Sequence, residues 1–336
     1  MRRRSLLAAP ALLPGSLLPA SLLPGLARAQ AAWPSRPIRL ICGFPPAGTT
    51  DIAARLIAER LAPRLGQPVA VENRPGATGN IAAEQVARAE PDGHTLHATN
   101  VGTGSINYTL FGPRMPVRPE DFTELGMLMR VPNVIFVHPA VPARSLAEFT
   151  ALAQARPGAL NYGSAGSGGS PHMTMELFRF RAGISLSHVP FRGAGPMLVE
   201  AVAGRLQAGC DNIPSCIGHV RDGRLRALAV TGAQRSPALP EVPTVAESAL
   251  PGFEATSWFG VQAPARLPPP IVARLGEAID AGTKDPAYRA RLTELGADPP
   301  GLTPDGGTTP QAFSAFVRAE IAKWAEVVRV SGATVD

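Results

Sequence analysis

"NYGSAGSGGSPHMTMELF", residues 161–178, places Gly or Ser at seven of the eight positions from Gly163 to Ser170, with Ala165 as the exception, and then turns to a helical pattern. The run is compatible with four uses: a phosphate cradle, the turn of a nucleophilic serine, a flexible linker, or a backbone site for a smaller anion. No Lys follows the glycines where a P-loop needs one, and the G-x-G-x-x-G register is absent. A strand pattern at Leu160–Tyr162 and a helix from Pro171 or His172 flank the run too closely for a free linker. The nucleophile turn stays open, because Ala165–Gly169 reads A-x-S-x-G around Ser167, with Asp211 and His219 following in hydrolase order.

Residues 38–61 repeat the same scheme of strand, small-residue loop and helix. "RPIRLICGF" is an apolar strand. Pro45-Pro46-Ala47-Gly48-Thr49-Thr50-Asp51 is the loop, and Ile52, Leu56, Ile57 and Leu61 share one face of the helix that follows. At such a loop the first N–H groups of the helix lack intrahelical partners and carry the positive end of its dipole, so they favour anions. Two loops of this design, one in each half of the chain, can hold a carboxylate from both sides of a closing cleft.

The rest of the chain supplies the frame. After the first helix come a strand and helix in "PVAVENRPGATGNIAAEQVARAEPDG", the strand "HTLHATN", and a loop at Asn100–Ser105. A second set opens with the strand "VPNVIFVHP" near Val131 and a helix capped by Ser145 with Glu148 at the capping-box position. Strands then alternate with helices through "QAGCDN" and "RLRALAVTG". The Pro/Gly-rich stretch 236–270 holds a second crossover, and helices near 268–281 and 310–330 close the chain. This alternation predicts an α/β fold with largely parallel sheets.

Bulk properties narrow the function. The 336 residues suffice for two ordinary domains. The first 30 residues have a basic start, a Leu/Ala/Pro stretch and a small-x-small site at Ala27-Arg28-Ala29, the signature of an export signal. Arg3-Arg4 leaves twin-arginine and general secretory export both open. The prolines at 10, 14, 19 and 24 argue against a stable membrane helix there. Removing Arg2, Arg3, Arg4 and Arg28 leaves 28 basic against 26 acidic residues, a net of +2 with no basic run, so nucleic acid is excluded as a partner. Three cysteines are too few for a disulfide framework; Cys210 and Cys216 are the one candidate pair, and Cys42 reads as core. The six scattered His residues offer no metal spacing, and no cofactor motif occurs.

Taken together, "WPSRPIRLICGFPPAGTTDIAARLIAERL", "VENRPGATGN", "PDGHTL", "LNYGSAGSGGSPHMTMELF", "HVPFRGAGPMLVEAVAGRLQAGCDN", "GRLRALAVTGAQRSPALPEVPTVAES", "SWFGVQAPARLP" and "AEIAKWAEVVRVSGATVD" resemble, in this order, the extracytoplasmic solute receptors of tripartite tricarboxylate transporters, the Bug-type receptors. The resemblance spans the whole chain after the leader. It implies a type II periplasmic-binding-protein fold, with two α/β domains joined by two crossover strands around a ligand cleft. Residues 1–29 would be the signal peptide, 30–130 and 255–336 the first domain, and 131–254 the second. It further implies a periplasmic, monomeric receptor without cofactor or catalysis, which hands a small organic acid to integral membrane transporter subunits.

Carried over by position, the resemblance places the ligand against Phe44, Ala47, Gly48, Thr49, Thr50 and Asp51, with Asp51 ordering the loop as a helix cap. From the loop after the third strand come Thr99, Gly102 and Thr103. The second half supplies Ser164, Ala165, Gly166, Ser167 and Asp211, with His172 as either a ligand contact or a packed support. Two departures stand out: Ala47 occupies a usual glycine position, and small residues, Ala208-Gly209-Cys210, precede Asp211. A secreted serine esterase using Ser167, Asp211 and His219 is the alternative.

Overall fold

The computed structural model describes residues 33–334; the expected signal peptide lies outside them. In chain order the elements are β1 (Ile38–Cys42), α1 (Thr49–Leu65), β2 (Val69–Asn73), α2 (Asn80–Ala87), β3 (Thr95–Asn100), α3 (Asn107–Phe111), β4 (Phe122–Val137), α4 (Leu146–Ala155), β5 (Asn161–Ser164), α5 (Ser170–Ala182), β6 (Ser187–Pro190), α6 (Ala194–Val202), β7 (Ala208–Asn212), α7 (Ile213–Arg221), β8 (Arg226–Val230), α8 (Val245–Ser248), β9 (Thr256–Pro264), α9 (Pro269–Thr283), α10 (Pro286–Glu294) and α11 (Pro310–Ser331). The fold is α/β, as the alternation predicts.

Two half-sheets share one central strand. In the first, β1 lies parallel between β2 and β3, and β3 pairs antiparallel with β9. In the second, β5 lies parallel between β6 and β7. The 16-residue β4 joins them. From Phe122 to Pro132 it pairs with β9, from Asn133 to Val137 with β7 on one side, and from Val134 to Val137 with β8 on the other. The return crossing lies beside it: Thr231 N donates to Asn133 O, and Ala255 N donates to Thr231 O, immediately before β9 begins. Two strands therefore carry the chain between the lobes.

Each half-sheet has its own core. Leu40, Ile57, Leu128, Phe259 and Ile279 anchor the first, and Phe149, Tyr162, Phe178 and Leu228 the second. Trp258, from the stretch expected at the crossover, is buried against Phe313 rather than facing a cleft. Cys42, Cys210 and Cys216 are buried free thiols.

Two expectations change. The strand expected near Val131 begins nine residues earlier, at Phe122; "FTELGMLMR" hides it, because Gly126 and two buried faces erase any period-two alternation. The expected loop Asn100–Ser105 is mostly helical, with a π-wound turn at Gly102–Ile106 running straight into α3. Its glycines read as loop, but they serve close packing. A Cβ on Gly104 would stand 2.4 Å from the Trp258 ring.

Candidate functional site

Several helices begin at one place. An inner cavity of about 50 Å³ is walled by Thr49 and Thr50 of α1, Val101 before the π turn, Ser170 and Pro171 of α5, Ala194 of α6, and Asn212 at the start of α7. Asn100, Asp211, Ser257 and Phe259 complete it from the ends of β3 and β7 and from β9. Both lobes thus contribute helix N-termini to the same space.

These N-termini share a second property. No side chain caps α1, α5, α6 or α7, whereas α4, α8, α10 and α11, which do not line the cavity, are capped by Ser145, Thr244, Asp285 and Thr309. The Gly48, Thr49, Thr50 and Ser170 N–H groups make no hydrogen bond to any described residue. Unpaired amides with converging helix dipoles favour a negative charge, and in so confined a space each donor acts through little water.

The side chains of the first loop hold it rather than fill it. Asp51 accepts from Ala47 N at 3.0 Å, from Arg55 and from Asn73, and does not line this cavity. Burial raises its pKa, but the bonds from Arg55, Asn73 and the Ala47 amide outweigh this and hold the group below its usual range. Ala47 itself sits at φ +66°, in the left-handed region that a β-carbon disfavours. Asn100 Nδ2 donates to Thr50 Oγ1 at 3.0 Å. Thr99 and Thr103 pair hydroxyls at 3.0 Å, and Thr103 N donates to Asn100 Oδ1. Gly102 lies beside that same Asn100 oxygen. Thr99, Gly102 and Thr103 therefore position Asn100 and do not reach the cavity.

The second loop is built similarly. Ser164 Oγ bonds within the loop to Gly166 O and across to His188 Nε2. His172 stacks on His188 with ring centroids 4.1 Å apart, and its Nδ1 accepts from Gly168 N. Burial lowers the His172 pKa to about 4, so the ring is a neutral prop for the loop. At the crossover, Asn133 Nδ2 donates to Ser170 Oγ and Thr174 Oγ1, while its Oδ1 accepts from Asn212 Nδ2. One residue of β4 thus ties together the starts of α5 and α7.

Asp211 lines the cavity at the end of β7. Its oxygens accept from Asn212 N at 2.9 Å and from Ser215 Oγ at 2.6 Å. Burial pushes its carboxyl up to about 7, against the lowering effect of those two donors. Neither Ser167 nor His219 bonds to it, so the three groups of the esterase alternative do not form a triad.

Of the residues taken from the sequence, Phe44, Gly48, Thr49, Thr50, Ala165 and Asp211 line the inner cavity. Gly166 and Ser167 face an adjoining outer groove of about 710 Å³, which shares Phe44, Pro45 and Ala165 with the cavity and carries Arg192 at its rim. Ala47, Asp51, Thr99, Gly102, Thr103, Ser164 and His172 line neither. Asn100 and Asn212 were missed although each ends a strand, and Ser170, within the Gly/Ser run, also lines the cavity. Ser257 and Phe259 carry no local signal at all.

The lobes touch over this site. Thr49 Oγ1 lies 3.2 Å from Ser215 Oγ, Thr78 Oγ1 donates to Ser167 O at 3.0 Å, and Gly193 abuts the Pro45 ring. The cleft is closed. Among the described residues no group of three His, Cys, Asp or Glu could hold a metal, and no helix is long and apolar enough to cross a membrane.

Known proteins resemble the whole of this framework. Residues 53–332 match the family described as "Tripartite tricarboxylate transporter family receptor". The protein BugT of Bordetella pertussis is 36% identical over 90% of this chain and 91% of its own length. Among solved structures, an R. palustris protein with adipate aligns at TM-score 0.85 with 38% identity, covering 90% of this chain and 99% of that one. MatC from Rhodopseudomonas palustris with bound malate aligns at 0.82 with 35% identity, covering 88% and 99%. These likenesses establish the type II periplasmic-binding fold, and the chain belongs to the tripartite tricarboxylate transporter receptor family.

Proposed function

We propose that the chain is an exported receptor that captures a small organic acid in its cleft and delivers it to the membrane subunits of a tripartite tricarboxylate-type transporter. The observation that carries this reading is the convergence of uncapped helix N-termini from both lobes on one small cavity. A carboxylate would sit there, held by the Gly48, Thr49, Thr50 and Ser170 amides and the Thr50 hydroxyl. The remainder of the ligand would extend past Phe44 and Ala165 into the outer groove, where Arg192 stands at the rim. The adipate and malate of the two structural relatives are carboxylates of suitable size, and they are the first ligands to try.

The lobes are taken as 30–130 with 255–336, and 131–254, the chain crossing where β4 changes partners. Residues 1–29 act as the export signal, and the mature protein works as a periplasmic monomer without cofactor. Reversible capture implies micromolar affinity, about 8 kcal/mol. A thermal-shift and calorimetric series with adipate, malate and their uncharged diamides tests the reading. An acid should raise the melting temperature where its diamide does not. Equal responses to acid and diamide, or none to any organic acid, would overturn it.

A further inference from the structure

Asp211 poses a problem for an anion site. Its carboxyl is buried, lines the inner cavity, and has no cationic partner among the described residues. The titratable groups that feel its charge are the buried thiols of Cys210, on its own strand, and Cys216, on α7. Among the ionisable groups on the other elements packed here, Asp51 of α1 is engaged with Arg55, His172 of α5 with Gly168 N, Glu176 of α5 with Tyr162 and Arg179, Glu200 of α6 with Arg205, and Arg221 of α7 with Ala238 O and Glu294 O, while His219 lies with Arg221 in the last turn of α7, at the far end from Asp211. Strand β4, alongside, presents Val134 to it. Both oxygens already accept bonds, from Asn212 N and Ser215 Oγ, and Ser215 is reached across the cleft by Thr49.

A cavity of about 50 Å³ has room for a few water-sized groups, so a carboxylate placed in it lies close to Asp211. Two carboxylates in one dry site do not both remain ionised, and the pair settles by sharing one proton. We propose that Asp211 takes part in binding as a carboxylic acid: capture of a carboxylate draws one proton from solvent, which is then held between the ligand and Asp211. The receptor therefore captures an acid anion together with a proton, and release returns both. The inference rests on the carboxylate reading above.

The free carboxyl lies near neutrality, about 7, because burial opposes its charge. A second negative charge raises it further, so uptake is largest above pH 7. Affinity then falls by up to tenfold for each pH unit above 7, until the pKa of the complex is passed. Below 7 the proton is already in place and affinity is flat.

Calorimetric titration with adipate and malate at pH 6, 7.5 and 9, each in two buffers of different ionisation heat, reads the proton directly. The expected result is close to one proton taken up at the higher pH values and little at pH 6. Asp211→Asn should bind with a pH-independent constant and exceed the wild type at pH 9, an outcome that a merely structural role would not produce. Glu124, which burial raises to about 8, titrates in the same range but lines neither the cavity nor the groove, so it ionises alike in free and bound protein and adds no uptake on binding. Should that variant not fold, Ser215→Ala removes a donor that favours the carboxylate and should move the loss of affinity to higher pH. Wild-type binding without buffer-dependent heat, or uptake retained in Asp211→Asn, overturns the proposal alone. Absence of binding by any organic acid overturns the carboxylate reading along with it.

Discussion

Replacing Ala47 with glycine should stabilise this protein. Ala47 holds φ at +66° in the loop that opens α1, and its N–H is bonded to the Asp51 carboxylate at 3.0 Å. The left-handed region costs a residue with a β-carbon ~1–2 kcal/mol. Glycine removes that strain but adds freedom to the unfolded chain, an opposing ~0.4–1 kcal/mol. The Ala47 methyl is exposed, so its loss forfeits little burial. The balance is a gain of about 0.5–1 kcal/mol, or a rise in melting temperature of ~1–3 °C for a chain of this length. Urea titration measures it as a higher midpoint at unchanged slope. Ala47→Val, branched at a position that needs positive φ, should lose about 1 kcal/mol or more. An Ala47→Gly midpoint at or below the wild type, with Ala47→Val unchanged, would show that the loop relaxes away from this conformation and that the strain is not real.

Three further outcomes follow from the same geometry. Asn133→Leu breaks the bonds to Ser170, Thr174 and Asn212 and leaves buried polar groups unpaired; urea denaturation should show a loss of roughly 3–5 kcal/mol. Glu124, half-buried with its Oε2 shut from solvent, accepts from Gln262 and has its pKa raised to about 8 by this burial, so stability fully present below its ordinary value of 4.5 is lost as pH rises through 8. Glu124→Gln should match the wild type near pH 4.5 and unfold at higher urea at pH 9; the reverse order would contradict the burial argument. Ser167→Ala removes a hydroxyl that bonds to no described residue, while Thr78 keeps its bond to the backbone oxygen. Calorimetry should give acid affinity within about twofold of the wild type, and p-nitrophenyl ester hydrolysis should be absent from both proteins.

What could be read from the sequence, and what could not, divides along the range of the interactions. The two loops at 43–51 and 163–170 were legible because the start of a helix is written locally: small residues, then an amphipathic period, with no cap residue at Gly48 or Gly169. The four helices with Ser, Thr or Asp caps start away from the cavity, while Asp51, expected as a cap of α1, bonds to Ala47 N within the loop instead. Which loop residues face inward was not legible. Ser164 and His172 sit in the right motif yet turn to His188 and to the loop's own backbone, because a Gly-rich loop needs internal bonds to hold one shape. Asn100 was hidden for a related reason: "NVGTGS" looks like coil until Trp258, more than 150 positions later, packs against Gly104 and makes a helix of it. Ser257 and Phe259 reach the cavity because β9 returns to pair with β4 and, from Phe259 on, with β3, a register no local pattern encodes. Asp211 was legible as a residue and illegible as an acid. Its protonation depends on how little charge the surrounding elements supply, and that balance exists only once β4, α1, α5 and α7 have closed around it.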